Sequence, residues 1–443
     1  MSVFYLRELD HYPVGRRRYF LLFVAVLATM IASYEAQIAP VLPLIMHEIS
    51  MDKETYGIVI MATVVFSALG AIAFAPICDK HGRTAVLVPA LFGTALCVFA
   101  MAVVVHSVAT LFVVRAILAF IEGAVVAASA GLVRDFSPRM GRAAAYAFWT
   151  FGPVGSNFLA AFIAGSTLEY FHNYWQSQFY IAGGISVVVA LFVMFNVADL
   201  APEVRHRIMH SEDSSAQDSH AGEKQGMLDA ASHWRVWWMT LGITFFLMLY
   251  FVVQQFGPLI LVEVYGFKAE RAAYLSQYFW LLNLLTLVIA GVVSDRLQLR
   301  KIVSFIGAAL TIPVAVIWIS LAGTHPSDTT MIVLMSLLGG AFGIAYCPWM
   351  AWFSEALEDI STHIQASGWA LWTFVTRAYV VCTVVPMTYV AQKYGWEPWM
   401  WLTVGGVAFY GACIIFSKTP WLTREDPNVP TEAHVFVPET IPE

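Results

Sequence analysis

The sequence predicts an all-α membrane protein, with twelve transmembrane helices in two six-helix, pseudo-symmetric bundles. Three observations predict it. Of the 443 residues, 59% are hydrophobic and only 12% are charged, with a mean hydropathy of +0.70. A soluble domain carries about twice that share of charge. Runs of roughly 20 apolar residues recur along the whole chain, the length that crosses a hydrocarbon core of about 30 Å. A polar stretch, HSEDSSAQDSHAGEKQG at 210–226, divides those runs into two sets of six. A β-barrel would show alternating segments of about ten residues instead.

In chain order, the first six spans are expected at 19–45, 55–77, 85–106, 109–133, 143–168 and 176–198. The second six are expected at 236–262, 272–294, 302–323, 328–354, 366–391 and 397–417. This gives an N-terminal segment 1–18, a bundle 19–198, a linker 199–235, a second bundle 236–417 and a tail 418–443. The linker centre is too polar to bury, and the Pro-rich, acidic tail is expected to be disordered. The charges Arg16, Arg17 and Arg18 abut a first span too long for a signal peptide.

Lysine and arginine set the orientation. Of 24 such residues, eighteen fall on the face that holds the N-terminus and four on the other, with two inside spans. The positive-inside rule puts both termini and the linker in the cytoplasm of a cell (inner) membrane. The net charge of −6 and the lack of a basic stripe give no sign of a nucleic-acid partner. The five cysteines form no CxxC pair, so neither disulfides, metal nor cofactor is implied. No nucleophile–base pair suggests an enzyme.

Three marks repeat between the halves in the same order. Gln37 and Pro40 of span 1 align with Gln255 and Pro258 of span 7. Asp79, after span 2, aligns with Asp295, after span 8. AFWTF (147–151) in span 5 aligns with ALWTF (370–374) in span 11. Such parallel repeats place a substrate near the midplane, between halves that rock against each other.

APICDKHGRT (75–84) resembles the loop 2–3 signature of the major facilitator superfamily, Gly-x-x-x-Asp-Arg-x-Gly-Arg-Arg/Lys. Asp79, Gly82 and Arg83 match, while Ala75 and Lys80 depart from it. GVVSDRLQLRK (291–301) is similar to a degenerate second copy, with Gly291, Asp295, Arg296 and Arg300-Lys301. The resemblance implies that these loops act as gate latches, with Asp79, Arg83, Asp295 and Arg296 as gating residues. RAILAFIEG (115–123) is similar to the Arg-x-x-x-Gly-x-x-Glu-Gly pattern of the anion:cation symporter branch, which carries organic anions with protons. Arg115, Glu122 and Gly123 match, and Ala119 replaces the middle glycine. YWQSQFYIAGG (174–184) looks like the WRxxFyixG segment of that branch, with Gln176 for the arginine. Span 1 departs from it, with Tyr34-Glu35-Ala36-Gln37 where Tyr-x-Asp-Arg is usual. ASYEAQ (32–37) can equally be set against the aromatic-acid/H⁺ symporters.

A charge inside a bilayer costs at least ~2.5–3.5 kcal/mol, so intramembrane charges are functional candidates. Four lie deep: Glu35, Arg115, Glu122 and Arg377. A rise of ~1.5 Å per residue puts Glu35 and Arg115 at similar depths, with Glu122 and Arg377 near the midplane. Arg377 is expected to anchor a substrate carboxylate through its bidentate fork. A carboxylate in a low-dielectric cavity resists ionisation, so Glu122 is expected to take up the coupling proton, with Glu35 beside Arg115. Structural alternatives stand beside these roles: Arg115 as a tie between spans 4 and 1, Glu35 or Glu122 as its counter-ion, and Arg377 held structurally by backbone carbonyls or by Glu35 or Glu122.

Arg115, Tyr34, Gln37, Trp149, Gln254, Gln255, Tyr346, Trp372 and Thr373 are expected to line the site with Arg377. Amphipathic aromatics with few amides suit a small organic anion with an apolar or ring portion. The expected function is proton-coupled symport of a sugar acid, aromatic acid or other carboxylate by a monomer. The alternative is a drug/proton antiporter, because FGPVGS (151–156) is similar to the span 5 antiporter motif at Gly152 and Pro153. A non-transporting sensor of the same fold is a third reading.

Overall fold

The computed structural model describes residues 6–33, 37–136, 148, 150–201, 203–204, 227–297, 299–360, 364–417 and 421. Tyr34, Glu35 and Trp149 lie outside the described residues, as do the polar linker centre and the tail beyond Trp421. The side chain of Asp79 is likewise outside them.

Among the described residues, ten helices are each long and apolar enough to cross a membrane. They are Lys53–His81, Arg83–Val104, Val108–Asp135, Gln176–Asn196, Trp234–Glu263, Ala269–Leu297, Arg300–Ser320, Asp328–Ile360, Gln365–Tyr394 and Glu397–Phe416. In order they are spans 2, 3, 4, 6, 7, 8, 9, 10, 11 and 12. Span 5 contributes Phe151–Thr167. Span 1 begins as Gly15–Ala32, whose 18 residues include three arginines. It was expected to be one helix, 19–45, but it resumes as a 3₁₀ turn, Ala39–Val41, and a helix, Leu42–Glu48. Pro40 and Pro43 lack the N–H that an unbroken α-helical ladder would use.

Small residues set how closely the helices pack, as is common where lipid supplies no hydrophobic drive between helices. A Cβ added at Gly123 of span 4 would sit 2.1 Å from the Ser67 carbonyl oxygen of span 2. A Cβ added at Gly343 of span 10 would sit 2.6 Å from the Asn283 carbonyl oxygen of span 8. Ser67 and Asn283 are 216 positions apart, the same offset as Asp79 and Asp295. The duplication therefore extends to the backbone contact between the second and fourth helices of each half. Spans 2 and 3 are joined by Gly82 alone, at φ +93°, a conformation that L side chains rarely adopt.

Outside the helices, Glu8–Leu9 (β1) and Asp199–Leu200 (β2) form a short parallel pair. It ties the N-terminal segment to the chain leaving span 6. On the opposite face, Asp52 caps span 2, accepting the Thr55 N–H at 2.7 Å. Bonds from the Thr55 side chain and backbone hold its carboxyl below the ordinary 3.8.

Two measurements test these local claims. Gly123→Ala should destabilise the protein by about 1–3 kcal/mol through overpacking, lowering its Tm in detergent. Gly184→Ala, with open space around the added Cβ, should leave Tm unchanged. Asp52→Ala should cost about 1 kcal/mol near neutral pH. Because folding lowers this carboxyl's pKa, the cap contributes fully above 3.8 and fades as pH falls through the lower folded value. Parent and variant should therefore converge in strong acid.

Candidate functional site

The site has three levels. On the basic face, Arg83 opens span 3 and is 5% exposed. Its Nε lies 3.6 Å from a carboxylate oxygen of buried Asp135, at the end of span 4. Asp199 Oδ2 accepts the Thr84 N–H at 2.9 Å and the Thr84 hydroxyl at 2.7 Å, capping span 3. The β1–β2 pair holds Asp199 in place, its N–H donating to the Arg7 carbonyl at 2.8 Å.

The second half repeats this pattern. Arg300, which opens span 9, donates to Glu355 near the end of span 10 at 2.9 Å. It also donates to Ser294 at 3.1 Å and to Asp295. Arg296, expected to act with Asp295, is exposed. Neighbours one residue apart on a helix do not face each other, whereas Arg300 turns back from the next helix. Asp135, Asp199 and Glu355 were not among the residues expected from sequence, and Arg300 was expected in the loop motif but not as a gating residue. Carboxylates at helix ends facing the two loop motifs were the signal that could have found them.

At mid-membrane depth, Arg115 is 1% exposed on span 4, and Glu122 follows two turns later, half-buried. Glu35 lies outside the described residues, so its pairing with Arg115 stays an expectation. Arg377 is half-buried halfway along span 11. Its Nη1 donates to Ser67 Oγ of span 2 at 3.5 Å, and it forms no ion pair among the described residues. Of the other expected lining groups, Gln37 and Gln255 are buried, while Gln254, Tyr346 and Trp372 are half-buried. The exposed Thr373 hydroxyl donates within its own helix to the Trp369 carbonyl at 2.9 Å.

Spans 10 and 11 build an aromatic wall. Tyr346 stacks on Trp349 at 6.1 Å, and Trp349 meets Trp372 at 5.7 Å and Trp369 at 6.2 Å. The indole N–H groups of Trp349 and Trp372 are buried without a hydrogen-bond partner among the described residues. At the 220-residue offset of Gly123 and Gly343, span 4 carries Val126 and Ser129 instead. One half therefore presents rings, and the other presents small side chains beside its ionisable residues.

Toward the opposite face the halves meet along spans 2 and 11. Lys53 donates to Gln392 and to the Ala391 carbonyl at 3.4 and 3.3 Å. A Cβ on Gly57 would sit 2.2 Å from Thr388 Oγ1. Ser67 meets Arg377. These contacts keep one antiparallel register over roughly 20 Å of helix, and Arg377 is its innermost member. Spans 5 and 8 also approach closely, with Gly165 against the Tyr274 backbone. Gly152, of the antiporter-like segment, is needed for packing: its Cβ would sit 2.0 Å from Thr29 Oγ1.

A family model described as Major Facilitator Superfamily matches residues 19–379. The chain belongs to this superfamily. It is a multi-pass membrane protein of a transporter family, and the fold and relatives are those of secondary transporters, not enzymes. It is similar to vesicular glutamate transporter 1 of Xenopus tropicalis, 21% identical over 71% of this chain and 57% of that protein. It is equally similar to a gallate transporter of Pseudomonas putida, 21% identical over 67% of this chain and 70% of that one. The match thus spans less than two thirds of the vesicular transporter's length.

Solved structures show the same fold. A bacterial homologue of the human lysosomal transporter Spinster, inward-facing and occupied, superposes with a TM-score of 0.66 at 15% identity. That match covers 91% of this chain and 97% of the other. A D-xylose–proton symporter gives 0.65 at 15% identity over 91% and 98%.

The basic-face charges of this superfamily member are open to test. Arg83→Ala removes the cation facing buried Asp135 and should cost about 3–5 kcal/mol, read as a lower Tm and lower yield. The double replacement Arg83→Met with Asp135→Leu should recover most of that loss.

Proposed function

We propose that this secondary transporter is a proton-coupled symporter of a small organic anion, working by alternating access. Arg377 carries the reading. It is a guanidinium halfway along a membrane span, with only a long hydrogen bond to Ser67 and no ion pair among the described residues. Holding such a cation in hydrocarbon costs at least ~2.5–3.5 kcal/mol. A substrate carboxylate gripped by its two N–H donors offsets that cost. Gallate and glutamate, for which two relatives are named, both bear a carboxylate.

Tyr346, Trp349 and Trp372 supply ring faces and indole donors in the same half. They suit an anion with a planar or apolar portion. Arg115, Tyr34, Gln37, Trp149, Gln254, Gln255 and Thr373 complete the proposed lining. Glu122, with Glu35, takes up the coupling proton in the other half. The basic face is the cytoplasmic one, in a cell (inner) membrane, and the working unit is a monomer.

The test is uptake into proteoliposomes under an inward proton gradient, using labelled gallate and labelled glutamate. Accumulation of either that collapses with a protonophore supports the proposal. Arg377→Ala should lower uptake at least tenfold, the range expected for a lost charge-assisted bond. Arg377→Lys should recover only part of it, because lysine keeps the charge without the fork. Proton efflux on adding lipophilic cations, with no carboxylate uptake, would sink the symporter reading in favour of drug antiport.

A further inference from the structure

The four lysines and arginines on the face opposite the basic loops were counted in the sequence only for orientation. One of them is built into a contact between the halves. Lys53 Nζ lies 2.9 Å from Glu263 Oε2, with side chains 15% and 32% exposed. Glu263 Oε2 also accepts the Trp396 indole N–H at 2.7 Å. Lys53 lies over the Trp396 ring, 5.7 Å from its centroid. Lys53 opens span 2 and Glu263 closes span 7, so the ion pair joins the two halves.

Both charges contradict the preference of their own helix. A cation is disfavoured at a helix N-terminus and an anion at a C-terminus. Local rules broken in this way point to a tertiary purpose.

The duplication supplies an internal control. Glu48 closes span 1 and accepts the Trp175 indole N–H at 2.7 Å, as Glu263 accepts that of Trp396. Lys268, at the start of span 8, stands where Lys53 stands, 215 positions on, the same offset as Glu48 to Glu263. A symmetric second pair, Lys268 with Glu48, is therefore available to the fold. It does not form: Lys268 is exposed and makes no ion pair among the described residues. Gln176, the residue after Trp175, donates to Glu48 Oε1 at 3.1 Å and engages the carboxylate within its own half. The residue after Trp396 is Glu397, a carboxylate that gives Glu263 no such donor.

We infer that Lys53 and Glu263 form a one-sided latch that holds this face closed, and that Gln176 against Glu397 is the difference that makes it one-sided. The latch sits beside an open cavity of about 510 Å³ lined by His47, Lys53, Glu263 and Gln392. Water reaches it there, so it can release when the face opens. The inference does not depend on which substrate is carried.

Thr388 is buried against Gly57 behind the latch, and cysteine is close to threonine in size, so Thr388→Cys is the reporter. The measurement is its rate of modification by a hydrophilic maleimide in detergent, with the parent protein as background. Lys53→Gln and Glu263→Gln should each raise the rate, by up to about fivefold. Lys268→Gln should not change it. Lys53→Glu combined with Glu263→Lys should bring it back toward the starting rate, which a general loss of folding would not allow. Unchanged rates in both single variants, an equal effect of Lys268→Gln, or no recovery in the exchanged pair would each overturn the latch. A failure of carboxylate transport with these rates as expected would leave it standing and sink only the symporter reading.

Discussion

The structure depends on one constraint: a charge or polar group placed among lipid-spanning helices has no water to fall back on. It must find a partner in the protein, reach an aqueous surface, or wait for a ligand. Arg83 and Arg300 take the first course, each facing a carboxylate from the fourth helix of its own half. Lys53 and Glu263 take the second, pairing where a surface cavity admits water. Arg377, with Ser67 as its neighbour, is best suited to the third.

The duplicated scaffold explains why these solutions come in near-copies. Gly123 and Gly343 allow the same close backbone approach in the two halves. Trp175 and Trp396 donate to equivalent carboxylates. Function then lies in the places where the copies differ. Arg377 stands where the first half has Val154, and Trp349 where it has Ser129. Glu397 stands where it has Gln176. In each case a change of one side chain alters what the bundle offers to the cavity or to the other half, and the packing that defines the fold is retained.

The fold was legible because its signals are local or periodic. Apolar runs, charge asymmetry and the loop motif around Asp79, Gly82 and Arg83 can be read without knowing which helix touches which. Much of the site was not. Arg296 and Arg300 both belong to the second-copy motif, but which of them returns to Asp295 depends on the turn into span 9. Asp199 caps span 3 from 115 positions away, and Lys53 meets Ala391 across 338. No pattern within a window of sequence carries such pairings. The deep charges are the intermediate case: depth followed from helical rise, but the partner of Arg377 required the packing of span 11 on span 2.

A transporter has to close each face and also open it again, so the strength of the closing contacts is bounded above. A fully buried ion pair between the halves would leave two desolvated charges on opening, at several kcal/mol. It would trap one state. A partly exposed pair is worth about 0–1 kcal/mol, and its charges return to water when the halves separate. The contacts of span 2 with spans 7 and 11 fit this bound. Lys53 and Glu263 are both partly exposed, Lys53 reaches Ala391 at only 3.3 Å, and Arg377 reaches Ser67 at only 3.5 Å. Several weak contacts in one register sum to a closed face, and each can be lost singly at small cost. Arg377 is the innermost of them. A carboxylate bound there would compete with Ser67 for the same guanidinium, so occupancy would act first at the end of the register farthest from the latch.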